Sequence, residues 1–129
     1  MSTIMIMAGG TGGHVFPALA VARALREQGV NIVWLGTRTG IEARVVPAAD
    51  FEIEYISIRG LRGGGFLSWL LLPMRLNIAM LQAMRILRRR KPDAVLSMGG
   101  FVSGPGSLMA SALRIPLLIH EQNAIAGLT

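Results

Sequence analysis

The residues most able to do chemistry form a glycine-rich segment near the N-terminus, from Gly9 to His14. This segment follows an apolar run and precedes a helix-forming stretch, so its backbone N–H groups and the helix dipole favour an anion. His14 is expected near the N-terminus of that helix, where the dipole disfavours protonation of the imidazole. A neutral imidazole can act as a general base towards a hydroxyl group. The alternative is a histidine that only caps the helix or orients a ligand.

Two known nucleotide-binding motifs do not fit this segment. A P-loop ends in Gly-Lys-Ser or Gly-Lys-Thr, but the only lysine of the chain is Lys91. A dinucleotide fingerprint needs a third glycine where Val15 stands, and an acidic residue at the end of the second strand, where residues 35–38 contain none. We therefore expect the segment to pack against a sugar–phosphate ligand.

A second glycine pair ends another apolar run. Met98-Gly99-Gly100 repeats the pattern of Met7-Ala8-Gly9-Gly10, and each is followed by more glycine and a predicted helix. Ligands of open α/β sheets bind beyond the carboxyl ends of the strands. The two segments are therefore predicted to form two walls of one site, unless each is only a tight turn.

The elements that must position these segments alternate between strand and helix. Apolar runs predict strands at 3–7, 31–35, 52–58, 93–98 and 117–120. Helical spacing predicts helices at 17–28, 40–46, 66–90 and 105–113. Pro17 is placed in the first turn of the first helix, Pro47 is expected to stop the second, and Pro73 to divide or kink the third. This alternation predicts an α/β fold, a Rossmann-like parallel sheet with helices on both faces.

The composition supports a folded domain with a core of its own. Of the 129 residues, 52% are hydrophobic and only 16% are charged, which argues against disorder. The absence of cysteine excludes a disulfide scaffold and thiolate metal sites. The first seven residues lack the basic region of a secretory signal.

The middle of the chain is both apolar and basic. No acidic residue lies between Glu54 and Asp93, and the net charge of the chain is +6. Pro73 and polar residues interrupt the apolar run, so an interfacial segment fits better than a membrane-spanning helix. The residues predicted to contact the membrane are Phe66, Leu67, Trp69, Leu70 and Arg75, with Arg85 and residues 88–91 meeting anionic lipid.

Two other interpretations of this apolar and basic region are a core helix and a nucleic-acid-binding surface. Much of residues 74–87 is expected to be a core helix with a solvated basic end. A nucleic-acid footprint is the weaker hypothesis, because only 5% of residues are aromatic and nothing resembles a stacking platform. The expected partner of the basic surface is therefore an anionic membrane and no nucleic acid.

Four segments, in order along the chain, carry a resemblance to a known family. Residues 7–17, 57–63, 98–105 and 120–127 resemble the motifs of the MurG family, in glycosyltransferase family 28. The resemblance implies an inverting GT-B enzyme that transfers N-acetylglucosamine from UDP-GlcNAc to the 4-hydroxyl of the muramoyl sugar of lipid I, forming lipid II. It also implies a peripheral protein on the cytoplasmic face of the bacterial inner membrane, with no cofactor and no metal built into the fold.

The same resemblance implies roles for individual residues. His14 is the first choice for the base that activates the acceptor hydroxyl, and Glu121 is the second. The residues implied to touch the donor are Thr11, Gly12, Gly13 and Asn123. Those implied to help receive the acceptor diphosphate are Gly99, Gly100, Phe101, Ser103 and Gly104. Many family members have tyrosine where this chain has Phe101, so we expect a packing role there.

The resemblance also predicts how the domains are organised. Residues 1–129 are expected to be an incomplete N-terminal domain that binds the acceptor and the membrane, without the C-terminal domain that holds UDP-GlcNAc. Family members are roughly two to three times as long, as two domains of ordinary size require. The alternative function is a non-catalytic module that binds polyprenyl diphosphate or membrane lipid. A UDP-sugar epimerase fits the acceptor-side motifs less well.

Overall fold

In a computed structural model of the chain, the structure describes residues 2–10, 12–57, 66–100 and 103–120, with residues 67–69 described as backbone only. Strands and helices alternate strictly over these residues. In chain order they are β1 Thr3–Met7, α1 Gly12–Glu27, β2 Asn31–Gly36, α2 Glu42–Ala48, β3 Glu52–Tyr55, α3 Phe66–Arg90, β4 Ala94–Ser97, α4 Ser103–Ala112 and β5 Leu117–Ile119.

The strands form one parallel sheet in the order β3-β2-β1-β4-β5. In its centre, Met5 of β1 pairs with Val33 of β2 on one side and with Val95 of β4 on the other. The chain therefore begins in the middle of the sheet, winds outwards to one edge, and crosses back over β1 to build the other half. This arrangement confirms the predicted α/β class and places the carboxyl ends of β1 and β4 side by side.

The hydrophobic core lies on both faces of the sheet, because successive strand residues point to opposite sides. On one face the sheet packs against α3 and α4, through Met5, Met7, Val33, Leu35, Val95, Ala79, Ala83, Ile86, Leu87 and Ala110. On the other face it packs against α1 and α2, through Ile6, Ile32, Trp34, Val15, Ala18, Leu19, Ala22 and Val46. The continuously apolar sequences of β1 and β2 follow from this double burial.

Helix α1 begins at Gly12, five residues before the predicted start, so Pro17 lies inside it. The buried residues Val15, Ala18, Leu19 and Ala22 follow the i, i+3, i+4, i+7 spacing of one helical face. Burial of this face outweighs the single backbone hydrogen bond that Pro17 removes near the start of the helix. Consequently Gly12, Gly13 and His14 form the first turn of α1 rather than a loop.

Several further boundaries differ from the prediction, and α4 begins at Ser103, two residues before its predicted start. Helix α3 continues through Pro73 without division, and α2 continues past Pro47 to Ala48. Both prolines are exposed, so water can bind the carbonyl groups that they leave free. Strand β3 ends at Tyr55, earlier than expected, and residue 58 lies outside the described residues.

Helix α3 carries two different surfaces. Its segment Leu70–Arg90 is long and apolar enough to cross a membrane, judged by length and composition, and is the one such segment among the described residues. However, Ala79, Ala83, Ile86 and Leu87 in its second half are buried under the sheet. This confirms the core-helix interpretation for that half, whereas Phe66, Leu70, Met74 and Ile78 in the first half are exposed.

The basic end of α3 is tied to β3 by ion pairs. Arg89 Nη2 lies 2.6 Å from one carboxylate oxygen of Glu54, and Arg90 Nε lies 2.6 Å from the other. Arg90 Nη1 also contacts Glu52 at 3.2 Å. Burial raises the pKa of Glu54, but its hydrogen bonds and charge interactions with the two arginines outweigh that effect and hold its pKa below the ordinary value. Two arginines that were expected to meet lipid are therefore held in ion pairs.

Replacing Glu54 by glutamine is expected to lower the free energy of unfolding by about 1 kcal/mol near pH 7, because two charge-assisted hydrogen bonds lose their charged acceptor. Since the pKa of Glu54 is lowered in the folded state, its contribution is present above the ordinary value of 4.5. It is lost as the pH falls through the lowered pKa. Urea unfolding should therefore show a gap between wild type and E54Q that closes in acid. Glu27→Gln, exposed on α1, is the control; a gap independent of pH would contradict the expectation.

Candidate functional site

The two glycine segments meet at the carboxyl edge of the sheet, as the sequence predicts. The N–H of Met98 donates to the carbonyl of Met7 at 2.8 Å, which brings the ends of β1 and β4 together. A side chain on Gly100 would overlap the carbonyl of Gly9. Gly100 also has a φ of +96°, so both space and backbone conformation require glycine there. The two segments thus lie against each other rather than forming independent turns, and we call the surface that Gly9, Gly10, His14, Gly99 and Gly100 form at this edge the cleft.

His14 projects from the first turn of α1 against the second wall. A Cβ added at Gly99 would lie 2.5 Å from His14 Nδ1 and 2.8 Å from its Cε1. Nδ1 is buried, and no hydrogen-bond partner for it occurs among the described residues. A buried ring nitrogen in that position gains free energy from any hydrogen bond that a ligand supplies. The imidazole is therefore fixed by packing against Gly99.

The first turn of α4 lies at the same edge. Ser103 begins this helix, and its N–H donates to the carbonyl of Gly100 at 3.2 Å. Its hydroxyl oxygen is buried and, within the described part of the chain, has no hydrogen-bond partner. The N-termini of α1 and α4 therefore both face the cleft, where their dipoles favour negative charge.

A buried acid, Glu42, holds the first wall, and sequence reasoning missed it. It lies in the first turn of α2 with none of its surface exposed. One carboxylate oxygen accepts a hydrogen bond from the Gly10 N–H at 3.0 Å. The other accepts from the N–H of Thr37 at 2.8 Å and from its hydroxyl at 3.0 Å. The available signal was the spacing of Glu42 and Val46, which puts the acid on the buried face of α2.

A polar cavity of about 340 Å³ adjoins this wall at the ends of β2 and β3. The guanidinium of Arg38 lies 4.3 Å above the ring of Tyr55 at its rim. The remaining lining comes from Thr37, Thr39, Ile56, Ser57 and Gln82. Among the described residues its lining includes one cation and no acid, so it suits a polar or anionic group.

The other predicted site residues fall into three groups. Gly12 and Gly13 lie in the first turn of α1. Gly104 lies in the first turn of α4, where no atom lies within 4 Å of an added Cβ. The remaining predicted positions lie outside the described residues, namely Thr11, Phe101, Glu121 and Asn123. Within the ranges that the structure describes, no group of three or more His, Cys, Asp or Glu side chains could hold a metal ion.

An apolar stripe on α3 extends beyond the same edge of the sheet. The N–H of Ser57, just after β3, donates to Gln82 Oε1 at 2.6 Å, so α3 passes this edge near Gln82 and Ala79, and its earlier turns lead away from the sheet. Five exposed apolar residues on α3 recur at helical spacing, namely Phe66, Leu70, Met74, Ile78 and Leu81, and Leu76 beside them is also exposed. Arg75 is half-buried beside them. The side chains of Leu67 and Trp69 are not among those described.

The basic cluster at the end of α3 is distant from this stripe. A helix rises about 1.5 Å per residue, so roughly 34 Å separate Phe66 from Arg89. The expected contact of residues 88–91 with the same lipid surface therefore holds only if α3 lies flat on that surface.

Comparison with known proteins gives a consistent result. A family model described as the glycosyltransferase family 28 N-terminal domain matches residues 4–129. The chain is 65% identical over 126 residues to a protein of Methylococcus capsulatus and 64% identical over 126 residues to one of Alkalilimnicola ehrlichii. Both are named UDP-N-acetylglucosamine–N-acetylmuramyl-(pentapeptide) pyrophosphoryl-undecaprenol N-acetylglucosamine transferase.

These relatives are considerably longer than the chain. The alignments cover 98% of this chain but only 36% and 35% of the two relatives, so the chain spans about a third of their length. Among solved structures, MurG of Acinetobacter baumannii is similar with a TM-score of 0.84 and 49% identity, over 96% of this chain and 36% of that chain. This similarity matches the predicted N-terminal half of a GT-B glycosyltransferase.

Replacing Gly99 by alanine should lower the free energy of unfolding by about 1–3 kcal/mol, because its φ of +108° is strained for alanine and the new Cβ would collide with His14. Gly104→Ala is the matched control, since its Cβ would meet open space within α4. Urea unfolding of both variants measures the difference. Equal stability of the two variants would show that Gly99 is not constrained by His14.

Proposed function

We propose, because the chain belongs to the N-terminal domain family of glycosyltransferase family 28, that its full-length protein transfers N-acetylglucosamine from UDP-GlcNAc to lipid I. The product is lipid II, the disaccharide precursor of peptidoglycan. The names of relatives that are 65% and 64% identical support this reaction. The observation that carries the proposal is the imidazole of His14, held in the cleft between the two glycine walls.

In the proposed reaction His14 is the general base. It takes the proton from the 4-hydroxyl of the muramoyl sugar, and the oxygen then bonds to the anomeric carbon of N-acetylglucosamine. The bond from that carbon to UDP breaks on the opposite face, so the configuration inverts and UDP leaves with the electron pair. Packing against Gly99 supports this role, because a fixed base needs no reorganisation before it accepts the proton. Glu121, outside the described residues, is the second candidate for the base.

The two helix N-termini support a division of the cleft between donor and acceptor. Gly12 and Gly13 offer first-turn N–H groups to the donor, together with Thr11 and Asn123. The start of α4 is proposed to receive the acceptor diphosphate, where the dipole of the helix and the Ser103 hydroxyl face the cleft. The residues of this second subsite are Gly99, Gly100, Phe101, Ser103 and Gly104. Most contacts to the nucleotide are proposed to come from a C-terminal domain.

The proposed location is the cytoplasmic face of the inner membrane, with peripheral attachment. The exposed apolar stripe of α3 supports it, since Phe66 and Leu70 are 78% and 59% exposed. They precede Gln82, through which α3 contacts the end of β3 at the edge that carries the cleft. An acceptor anchored by a polyprenyl chain has to reach the cleft from the membrane. A stripe at this edge brings the cleft close to the lipid headgroups, with Arg75 available to anionic lipid.

Replacing His14 by alanine in the full-length protein should lower kcat by about 10²–10⁴-fold, the usual contribution of a general base. Transfer of radiolabelled N-acetylglucosamine from UDP-GlcNAc to a lipid I analogue measures it. Arg23→Ala, exposed later on α1, should leave kcat unchanged.

Three outcomes of the transfer assay separate the hypotheses. An active H14A variant would move the base to Glu121 or to another residue. No transfer by the wild-type full-length protein, combined with binding of the lipid I analogue, would favour a non-catalytic polyprenyl-diphosphate-binding module. Transfer by the 129-residue chain alone would contradict the proposed division between two domains.

Replacing Leu70 by serine should weaken binding to lipid vesicles about tenfold, because an exposed leucine loses its burial in the membrane interface. Leu108→Ser is the matched control, since Leu108 on α4 is 60% exposed and Leu70 is 59% exposed. Arg75→Ala should weaken binding about fivefold to anionic phosphatidylglycerol vesicles only. Sedimentation with anionic and neutral vesicles measures these effects. Equal binding of the wild type to both kinds of vesicle would exclude recognition of anionic lipid.

A further inference from the structure

Glu42 is a buried charged group to which neither the sequence motifs nor the proposed reaction gives a role. An isolated carboxylate is costly to bury unless charges or hydrogen bonds compensate it. Within the described ranges no cation lies at ion-pair distance from Glu42. The carboxylate is instead satisfied by three hydrogen bonds, one from Gly10 and two from Thr37. Both oxygens therefore accept hydrogen bonds, and they connect the first glycine wall to the end of β2.

Three glycines from separate segments make room for this carboxylate. A Cβ added at Gly9 would lie 2.5 Å from Glu42 Oε2, and one added at Gly36 would lie 2.5 Å from its Cγ. A Cβ at Gly40 would overlap the carboxylate. None of these three has a positive φ, so the space taken by Glu42, and not backbone conformation, explains why they are glycine.

The first wall is anchored on both sides of Gly9. Before it, the indole N–H of Trp34 donates to the carbonyl of Ala8 at 2.9 Å. After it, the Gly10 N–H donates to Glu42. Gly10 has a φ of +95° and no heavy atom within 4 Å of its Cβ position, so packing alone does not hold it. Helix α1 begins two residues later, and His14 lies in its first turn.

We infer that Glu42 is a positioning residue for the transfer, which fixes Gly10 and through it the start of α1 and the imidazole of His14. The inference rests on the proposed function, because the reaction served by His14 is that transfer. Gly99 limits the imidazole from one side. On the other side, the hydrogen bond that Gly10 donates to Glu42 fixes the backbone just before the helix that carries His14. A base displaced by about 1 Å can lose a hundredfold in rate, so this hold matters for kcat.

The geometry requires a carboxylate and not an amide at this position. Two backbone N–H groups, of Gly10 and Thr37, point at different oxygens of Glu42. A glutamine has only one oxygen, so its NH₂ group would face one of the two N–H donors. Glu42→Gln therefore keeps the shape of the side chain and breaks one of the two connections.

The test compares Glu42→Gln with Val46→Ala in the full-length protein. Val46 is fully buried one turn further along α2, so its truncation destabilises the same helix without touching the carboxylate. Three quantities are measured for each variant, namely kcat and KM for UDP-GlcNAc, the urea midpoint, and hydrogen exchange of the peptide that spans residues 9–13. E42Q should lower kcat about 10–100-fold, leave KM within about threefold, and speed exchange in that peptide. V46A should lower the midpoint but leave kcat and exchange near wild type.

Each outcome decides for or against Glu42. The inference would be overturned if E42Q kept the kcat and the hydrogen exchange of the wild type. It would also be overturned if V46A lost kcat in the same proportion to the drop in its urea midpoint as E42Q does, because destabilisation alone would then explain both losses. If the wild-type protein transfers nothing, the proposed function fails. In that case faster exchange of residues 9–13 in E42Q still supports the hold on Gly10, and unchanged exchange overturns it.

Discussion

β1 and β4 lie side by side in the sheet, although α1, β2, α2, β3 and α3 separate them in the chain. Every feature of the cleft depends on this pairing. It aligns the carboxyl ends of two strands, so that the segments after them face each other instead of pointing to different parts of the surface. It also brings the N-termini of α1 and α4 to one edge, where their dipoles act on the same volume.

The close approach of the two walls explains why so many of their residues have no side chain. Gly100 faces the carbonyl of Gly9, and Gly99 faces the ring of His14. Behind the second wall, a Cβ on Gly106 of α4 would overlap the sulfur of Met7. On the far side of the first wall, Gly36 leaves space for Glu42. Glycine is required here mainly because of what lies opposite each position, and at Gly99 and Gly100 also because of a positive φ.

Helix α3 connects the core with the surface that faces away from it. Its second half closes one face of the sheet through small and aliphatic residues, while its first half extends past the edge with apolar side chains exposed. The ion pairs of Glu54 with Arg89 and Arg90 fix the far end of the helix to β3. An element held firmly at one end and exposed at the other suits the proposed attachment to a lipid surface.

The sequence by itself determined the α/β class, the order of the elements, the two glycine walls and the place of His14. These features are local, because apolar runs, helical spacing and glycine pairs report on their own segments. The start of α1 was predicted too late because Pro17 is a strong local signal for the first turn of a helix. The spacing of Val15, Ala18 and Leu19 indicates an earlier start only once these residues are seen to be buried against the sheet. Only the tertiary structure decided the burial and hydrogen bonds of Glu42 and the pairing of Arg89 and Arg90. From the sequence alone, a single acid in a short helix cannot be distinguished from a solvent-exposed one. Its burial depends on the N–H groups of Gly10 and Thr37, which lie in other segments and come together with it only in the folded chain.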